Sequence, residues 1–487
     1  MKDSYIKFFI GRSLPFIALL FLSLTVQSQV GIGNTNPNPS SALDITSTTQ
    51  GLLAPRMTTA QRTTIATPAN SLLVYDTDLK SFYYYNLPST AWVKINSGSD
   101  QRNNYKLVKS AADLAPELVA GGGNSYKLFL NTYYEINGTI TLAAPINLND
   151  AFVSGLDANE DKLIRTNGPV FEGITGGNIR NVTISGGSGA SAFNITGGTT
   201  LVIQNTIIAN LGSVGTISNV GLYFGNIIQF INNTTGITYS NISSLLLSNQ
   251  GWFATNSGTF ETYIGTFGLI EKVNGVSNVL PGRTGMQTTG ITSITDGAVL
   301  SQVVFYGGGT YVNGSSPYTG YNFSKDWTVD CPGIPREGDG VATGDINLSA
   351  DVGSGAVTTF SGTGTSSRKK VAGTTTSNSL FRFTRDGDNK IIYKGSKKRY
   401  FQVAASVSYQ STADLTLILY IAKNGSVITE TKVYGRGATG FFTNAGILAL
   451  PIIGTIELKT NDYIEIWAER FDGAGNMNTV SLNLIAR

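Results

Sequence analysis

Between about Asn178 and Asp330, short apolar β runs recur roughly every 22 residues. They are Ile179–Ile184, Leu201–Ile203 with Ile207–Ile208, Leu222–Phe224 with Ile227–Ile228, Leu245–Leu247, Phe267–Ile270 and Ile291–Ile294. Gly, Asn, Ser and Thr fill the gaps. The period is too short for a domain and too long for hairpin alternation. It suits one coil of a right-handed parallel β-helix, in which each coil adds short strands and stacks on the last. Such a rod provides reach before it provides chemistry. The recurring Asn178, Asn181, Asn205, Asn226, Asn232, Asn241 and Asn249 fit stacked turn positions, where side-chain amides satisfy backbone groups.

The 487 residues suggest about three domains. Charged residues make up 13% of the chain, against a globular norm of about 25%. Gly is abundant, at 57 residues. Few charges with many Gly, Asn, Ser and Thr describe an extracellular all-β protein. Aromatics at 10% and a net charge of +3 argue against disorder. That charge is also too small to call for nucleic acid. The two dense basic clusters, Arg368–Lys370 and Lys397–Arg399, read as solvated loop charges.

Residues 1–29 read as a secretory signal peptide. Lys2, Lys7 and Arg12 precede the apolar run Leu14–Val26, and Gln27-Ser28-Gln29 forms the exit. The run is short for a membrane span, which needs about 20 residues. No Cys follows it to take a lipid. No later run is long enough to span, so no transmembrane segment is expected.

From 30 to 97 an extended Gly/Asn/Pro-rich segment leads into a β-meander built from Ser71–Asp78, Ser81–Asn86 and Ala91–Ile95. A short helix capped by Thr58 or Thr59 precedes it. Gln29-Val-Gly-Ile-Gly33, Ala42–Ile45, Gly51–Met57, Leu73–Asp78 and Phe82–Asn86 with Trp92–Ile95 occur in order. Together they resemble a module found at the start of exported fibre or surface proteins of Bacteroidetes. The strands are too few to close a core alone, so neighbouring chains are expected to complete it. Residues 98–125 read as a linker with a helix at Ala111–Val119, residues 126–347 as the solenoid, and residues 348–379 as a Gly/Ser/Thr-rich linker.

A jelly-roll sandwich is expected over 380–487. Its seven strands are Phe401–Tyr409, Leu415–Lys423, Val427–Tyr434, Ile447–Ile453, Thr455–Lys459, Tyr463–Glu469 and Val480–Ile485. The blocks Leu419–Gly425 and Leu458–Trp467 resemble the C-terminal jelly roll of phage tail-fibre-like proteins, similar in layout to the C1q/tumour-necrosis-factor class. The middle region resembles the solenoid of the same fibre proteins. These resemblances imply a homotrimer. A virion protein needs no signal peptide, so the leader shifts weight toward an exported surface protein.

The chain has no histidine, which removes Ser-His-Asp and Cys-His catalysis and the commonest metal ligand. Cys331 is the single cysteine, so there is no intrachain disulfide and no Cys/His zinc site. Carboxylates remain. Asp157, Glu160, Asp161 and Glu172 cluster early, and Asp326, Asp330, Glu337 and Asp339 cluster late. Arg165 and Arg180 are candidate bases for a lyase. From Gly187 to Phe260 there is no acid or base at all, although a cleft along the flank would draw acids from successive coils. The acids therefore read as turn residues, with no catalytic residue, metal or cofactor expected. Tyr306, Tyr311, Tyr318 and Tyr321 form the densest aromatic cluster and are the candidates for stacking on a sugar. The leading expectation is a non-enzymatic exported adhesion fibre that binds a surface glycan or a protein receptor. A virion tail fibre and a secreted polysaccharide lyase or hydrolase are the alternatives.

Overall fold

The computed structural model describes residues 29–95, 102–315, 321–437 and 446–487. The expected leader, apart from Gln29, lies outside them. The chain divides into two units, residues 1–103 and 104–487. No helix among the described residues is long and apolar enough to cross a membrane.

In the first unit, Val30–Ile32 pairs in parallel with Leu43–Ile45. The meander forms as expected: Leu73–Asp76, Ser81–Asn86 and Ala91–Lys94 pair antiparallel, and Arg56–Met57 joins in parallel. The helix Thr59–Thr63 starts on a capping box, in which Thr58 and Gln61 each satisfy the other's backbone N–H. Asp76 ties this helix to the sheet. Its carboxylate accepts from Arg62 Nε at 2.8 Å, and the guanidinium lies 4.1 Å from the Tyr83 ring centre and 5.6 Å from that of Trp92.

Burial pushes the Asp76 carboxyl up. The Leu79 N–H, Arg62, the Thr59 hydroxyl and the Asp78 N–H outweigh this and hold it at about 2. A depressed carboxylate contributes its stability above the ordinary Asp value of about 3.9 and loses it as pH falls toward the folded value. Trp92 fluorescence, measured against a Trp92→Phe blank, should therefore hold steady above pH ~4 and change between about 4 and 2. In Asp76→Asn that step should vanish; an acid step that persists in the variant would assign it elsewhere.

The second unit begins as a solenoid of about eight turns. Its strands pair in parallel with the coil before and the coil after, so residues stack in columns. Val202 pairs with Phe224, and Phe224 with Leu246. Inward columns are aliphatic and aromatic, with Phe230 flanked by Trp252 and Phe260 at 5.9 and 5.1 Å between ring centres. The expected asparagine role appears in part: Asn178 and Asn226 lie within strands, and Asn241 at its corner accepts the Thr266 N–H. Asn181, Asn205, Asn232, Asn241 and Asn249 all take positive φ, where asparagine is tolerated best after glycine. Asn232 donates to Asn210 and Asn249 to Asn226, each one coil below.

The solenoid starts earlier than the sequence suggested. Tyr105–Val108, inside the presumed linker, pairs in parallel with Tyr133–Ile136 and opens the first coil. The helix Ala115–Ala120 follows, and its buried Glu117 takes Lys106 Nζ at 2.6 Å and the Tyr134 hydroxyl at 2.9 Å. A lone four-residue strand has no period of its own, so only its partner reveals it.

The presumed linker 348–379 is likewise part of a domain. Thr343–Ser349 lies between Leu380–Phe381 and the C-terminal strand Met477–Ala486, while Ala356–Thr358 and Lys369–Lys370 add further pairings. Residues 343–347, expected in the solenoid, belong to this sandwich strand as well, and its small polar residues hide an alternation that buries Ile346 and Leu348. The result is an antiparallel sandwich of a six-stranded and a seven-stranded sheet. Two expected strands, Ile447–Ile453 and Thr455–Lys459, are one strand, Ile447–Leu458. Gly454 between them makes no turn; it admits Thr431, whose methyl would stand 2.9 Å from an added Cβ. The stretch read as Val427–Tyr434 breaks into Ser426–Val427, a 3-10 turn and Val433–Gly437.

Arg382 joins solenoid and sandwich. It is buried with φ +61°, and its guanidinium donates to the carbonyls of Lys325 and Trp327 beside Asp339. Arg382→Ala strands these acceptors and should cost about 2–3 kcal/mol. Calorimetry should show a lower melting temperature and a separation of the solenoid and sandwich transitions. An unchanged thermogram would remove Arg382 as the tie.

Candidate functional site

Of the early acids, Glu160 lies in the turn 158–160, Asp157 and Asp161 flank it, and Glu172 lies in the strand Lys162–Gly173. Asp161 accepts the N–H groups of Gly138, Leu156 and Asp157. Burial pushes its carboxyl up, and the N–H groups of Asp157, Gly138 and Leu156 more than reverse that. Asp157 accepts from Asn159, and Glu172 accepts from Asn194 one coil above. Arg165 donates to the Pro169 carbonyl and Arg180 to Asn178, so both candidate bases are engaged locally.

The late acids are brought together. Asp330, Glu337 and Asp339, with Arg336, Ser396 and Lys397, line a cleft of about 430 Å³ where the last coil meets the sandwich. Asp326 lies outside it and accepts from Ser324. Within the cleft each acid has a structural partner. Asp330 pairs with Arg336 at 3.1 Å on the surface. Glu337, almost fully buried, accepts the N–H groups of Asn322 and Phe323. Burial pushes its carboxyl up, against the pull of those N–H groups and of Arg382. Asp339 takes the Lys397 N–H at 2.7 Å and the Ser396 hydroxyl at 3.1 Å. No group of three or more acids and thiols placed to hold a metal occurs among the described residues.

Among the described residues, Tyr306, Tyr311 and Tyr321 do not form a platform. Tyr306 is exposed. Tyr311 is half-buried against Phe305, and its oxygen accepts the Gly308 N–H. Tyr321 stacks on Phe381, with 3.8 Å between ring centres, at the junction with the sandwich. Tyr318 lies outside the described residues. Cys331 is buried, and burial pushes its thiol up. The basic clusters are largely paired: Arg368 with Glu469, Lys370 with Asp388 and Lys398 with Glu457.

Sequence reasoning missed a charged pair inside the rod. Lys272 Nζ meets Glu261 Oε1 at 2.7 Å, with side chains 2% and 0% exposed. Tyr263 donates to the second carboxylate oxygen at 2.8 Å, and the ammonium sits 4.9 Å from the centre of the Phe260 ring. Burial, and then Glu261, push the Tyr263 phenol well above its ordinary value. The sequence carried no local signal for it, because its column neighbours Leu247 and Leu300 are identified only by the strand register.

The surface that most lacks a partner is in the first unit. Among its described apolar side chains, Val74 is buried, whereas Val30, Ile32, Leu43, Leu52, Leu53, Leu79, Phe82, Leu87 and Ile95 are exposed. Leu52 and Leu53 are 66% and 72% exposed. This module has strands, caps and a buried ion pair, yet almost no apolar core.

Residues 31–108 match the family model described as the phage tail like trimerisation region. That match takes in the coreless module from Gly31 onward and ends on the first strand of the solenoid, Tyr105–Val108. No curated protein matches the chain. Among solved structures, the enzymatically active domain of bacteriophage CBA120 tailspike protein 4 is 10% identical, with 88% of this chain and 77% of that one covered and a TM-score of 0.26. Geobacillus virus E2 ORF18 is 12% identical, with 82% and 89% covered and a TM-score of 0.21. Murine APRIL is 10% identical, with 30% of this chain and 99% of that one covered and a TM-score of 0.19.

Proposed function

We propose that the chain is a homotrimeric fibre of the phage tail-fibre or receptor-binding kind, assembled through residues 31–108. The solenoid supplies length, and the sandwich presents a face to a surface glycan or protein receptor. The observation that carries this reading is the coincidence of a trimerisation-region match with a module whose apolar side chains stay in solvent. Burying them between copies supplies the core that one copy lacks. The reading is non-enzymatic, supported by the engagement of Asp161 and Glu337 with backbone N–H groups, of Asp330 with Arg336 and of Asp339 with the Lys397 N–H. The solution mass of residues 30–487, measured by light scattering, tests it. Three chains support the fibre, and a monomer removes it. Reducing-sugar release from acidic or neutral glycans would overturn the non-enzymatic part.

The leader favours a second reading, an exported surface adhesion protein of the same build. N-terminal sequencing of the native protein separates the two: a virion form retains the start of the chain, whereas an exported form begins near Gln29 or Val30.

A further inference from the structure

Lys272 and Glu261 have a third polar neighbour inside the rod. Lys272 Nζ also donates to the carboxamide oxygen of Gln250 at 3.5 Å, and Gln250 is as deeply buried as the lysine. The three side chains converge from different places on the coils. Gln250 stands just past the Asn249 corner, one coil below Lys272, in register with Ile228 and Gly275. Glu261 follows Ile237 in another column. A buried carboxamide normally has its NH2 group hydrogen-bonded. Gln250 Nε2 has no hydrogen-bond partner among the described residues. Gly225 leaves room beside it, since an added Cβ would stand 3.0 Å from Nε2 and 2.9 Å from the Tyr223 hydroxyl. An amine, an amide carbonyl and a carboxylate thus share an interior closed to solvent, and no hydrogen bond holds the amide nitrogen there.

We infer that Lys272 and Gln250 join through an isopeptide bond, which the chain forms on itself with Glu261 as catalytic base and then acid. Glu261 Oε1, at 2.7 Å, takes a proton from Nζ and frees the lone pair that attacks Gln250 Cδ. The carboxyl gives that proton to Nε2 as the Cδ–Nε2 bond breaks. It takes a second proton from Nζ as the Cδ–Nζ amide forms. Nε2 leaves as ammonia and carries off the second proton as ammonium, so Glu261 ends as the carboxylate it was. One amide replaces another, and the escape of ammonia to solvent draws the exchange forward. Attack needs Nζ within about 3–3.5 Å of Cδ, an approach that the flexible four-carbon stem of lysine allows. Tyr263, donating at 2.8 Å to the other oxygen, holds the carboxylate in place. With solvent excluded, water does not compete for the carbonyl. The product ties two successive coils covalently in a chain whose single cysteine can make no intrachain disulfide.

Trypsin reads the bond directly, because an acylated lysine is not a cleavage site. No Lys or Arg occurs between Arg180 and Lys272, and Arg283 is the next one after it. The full chain, folded, then denatured and digested, should release residues 181–283 as one peptide, lighter by one ammonia than its sequence mass. Separate peptides 181–272 and 273–283 at their sequence masses would overturn the bond. A single peptide lighter by one water would join Lys272 to Glu261 instead and overturn the part given to Gln250. Glu261→Gln should yield the two separate peptides; an ammonia-light single peptide there would overturn the role of Glu261. That variant leaves the lysine without its counter-ion, so Gln250→Leu is the companion that keeps the ion pair. It should fold and regain cleavage after Lys272, and an uncut Lys272 in it would again overturn the link to Gln250.

Discussion

Lys272→Met should destabilise the solenoid by roughly 3–5 kcal/mol, because it strands the Glu261 carboxylate inside an apolar rod. The two side chains are 2% and 0% exposed and meet at 2.7 Å, so water does not reach the vacated site. Tyr263 donates to the other carboxylate oxygen, but one neutral donor does not replace an ammonium. The companion change separates the pair from its packing. Lys272→Met with Glu261→Gln removes both charges and should recover much of the loss, since a buried ion pair is worth little over a neutral pair of similar volume. Chemical denaturation of the three proteins reads both effects. A single variant within about 1 kcal/mol of the parent would mean that the pair is hydrated in solution.

The second large effect is on assembly. Ile32→Ser, Leu52→Ser and Leu53→Ser together should dissociate the trimer's N-terminal contact. Burying a side chain of this size contributes about 1.5–3 kcal/mol, so three positions in three copies give an upper bound well above 10 kcal/mol. The exposed positions touch little within one chain, so the fold of each copy should survive. Light scattering at micromolar concentration should show the mass falling toward one chain, or a trimer that dissociates on dilution. An unchanged mass at all concentrations would show that these side chains do not hold copies together.

The parts of the fold most legible in the sequence were those with a period. The coil repeat, the corner asparagines, the meander and the Thr58 cap all follow from local chemistry that a reader can count. What stayed hidden depended on partners distant in sequence. Tyr105–Val108 is a strand because Tyr133–Ile136 lies beside it. Thr343–Ser349 belongs to the sandwich because Met477–Ala486 comes back 132 to 142 residues later, with Ser349 facing Ser481 and Gly344 facing Ala486. Gly454 looked like punctuation and is a point of close approach. The candidate tyrosines were chosen by density, and density does not say which way a ring faces: Tyr311 and Tyr321 turned to packing and Tyr306 to solvent. The buried Lys272–Glu261 pair needed the register, since only the coil above and the coil below show that a charge stands in an aliphatic column.

The unbroken 22-residue register of the middle coils, from Gly198 to Trp252, has a consequence for how such a chain changes over generations. Asn210 and Asn232 occupy the same corner one coil apart, separated by 22 residues. Excising one such interval joins the chain to itself at the same corner, facing the same way, in a rod shorter by about 4.8 Å. Duplicating it lengthens the rod by the same step. Reach is therefore inherited in whole rungs, and a recombination event between two asparagine corners can reset the distance between the ends of the rod without redesigning either end.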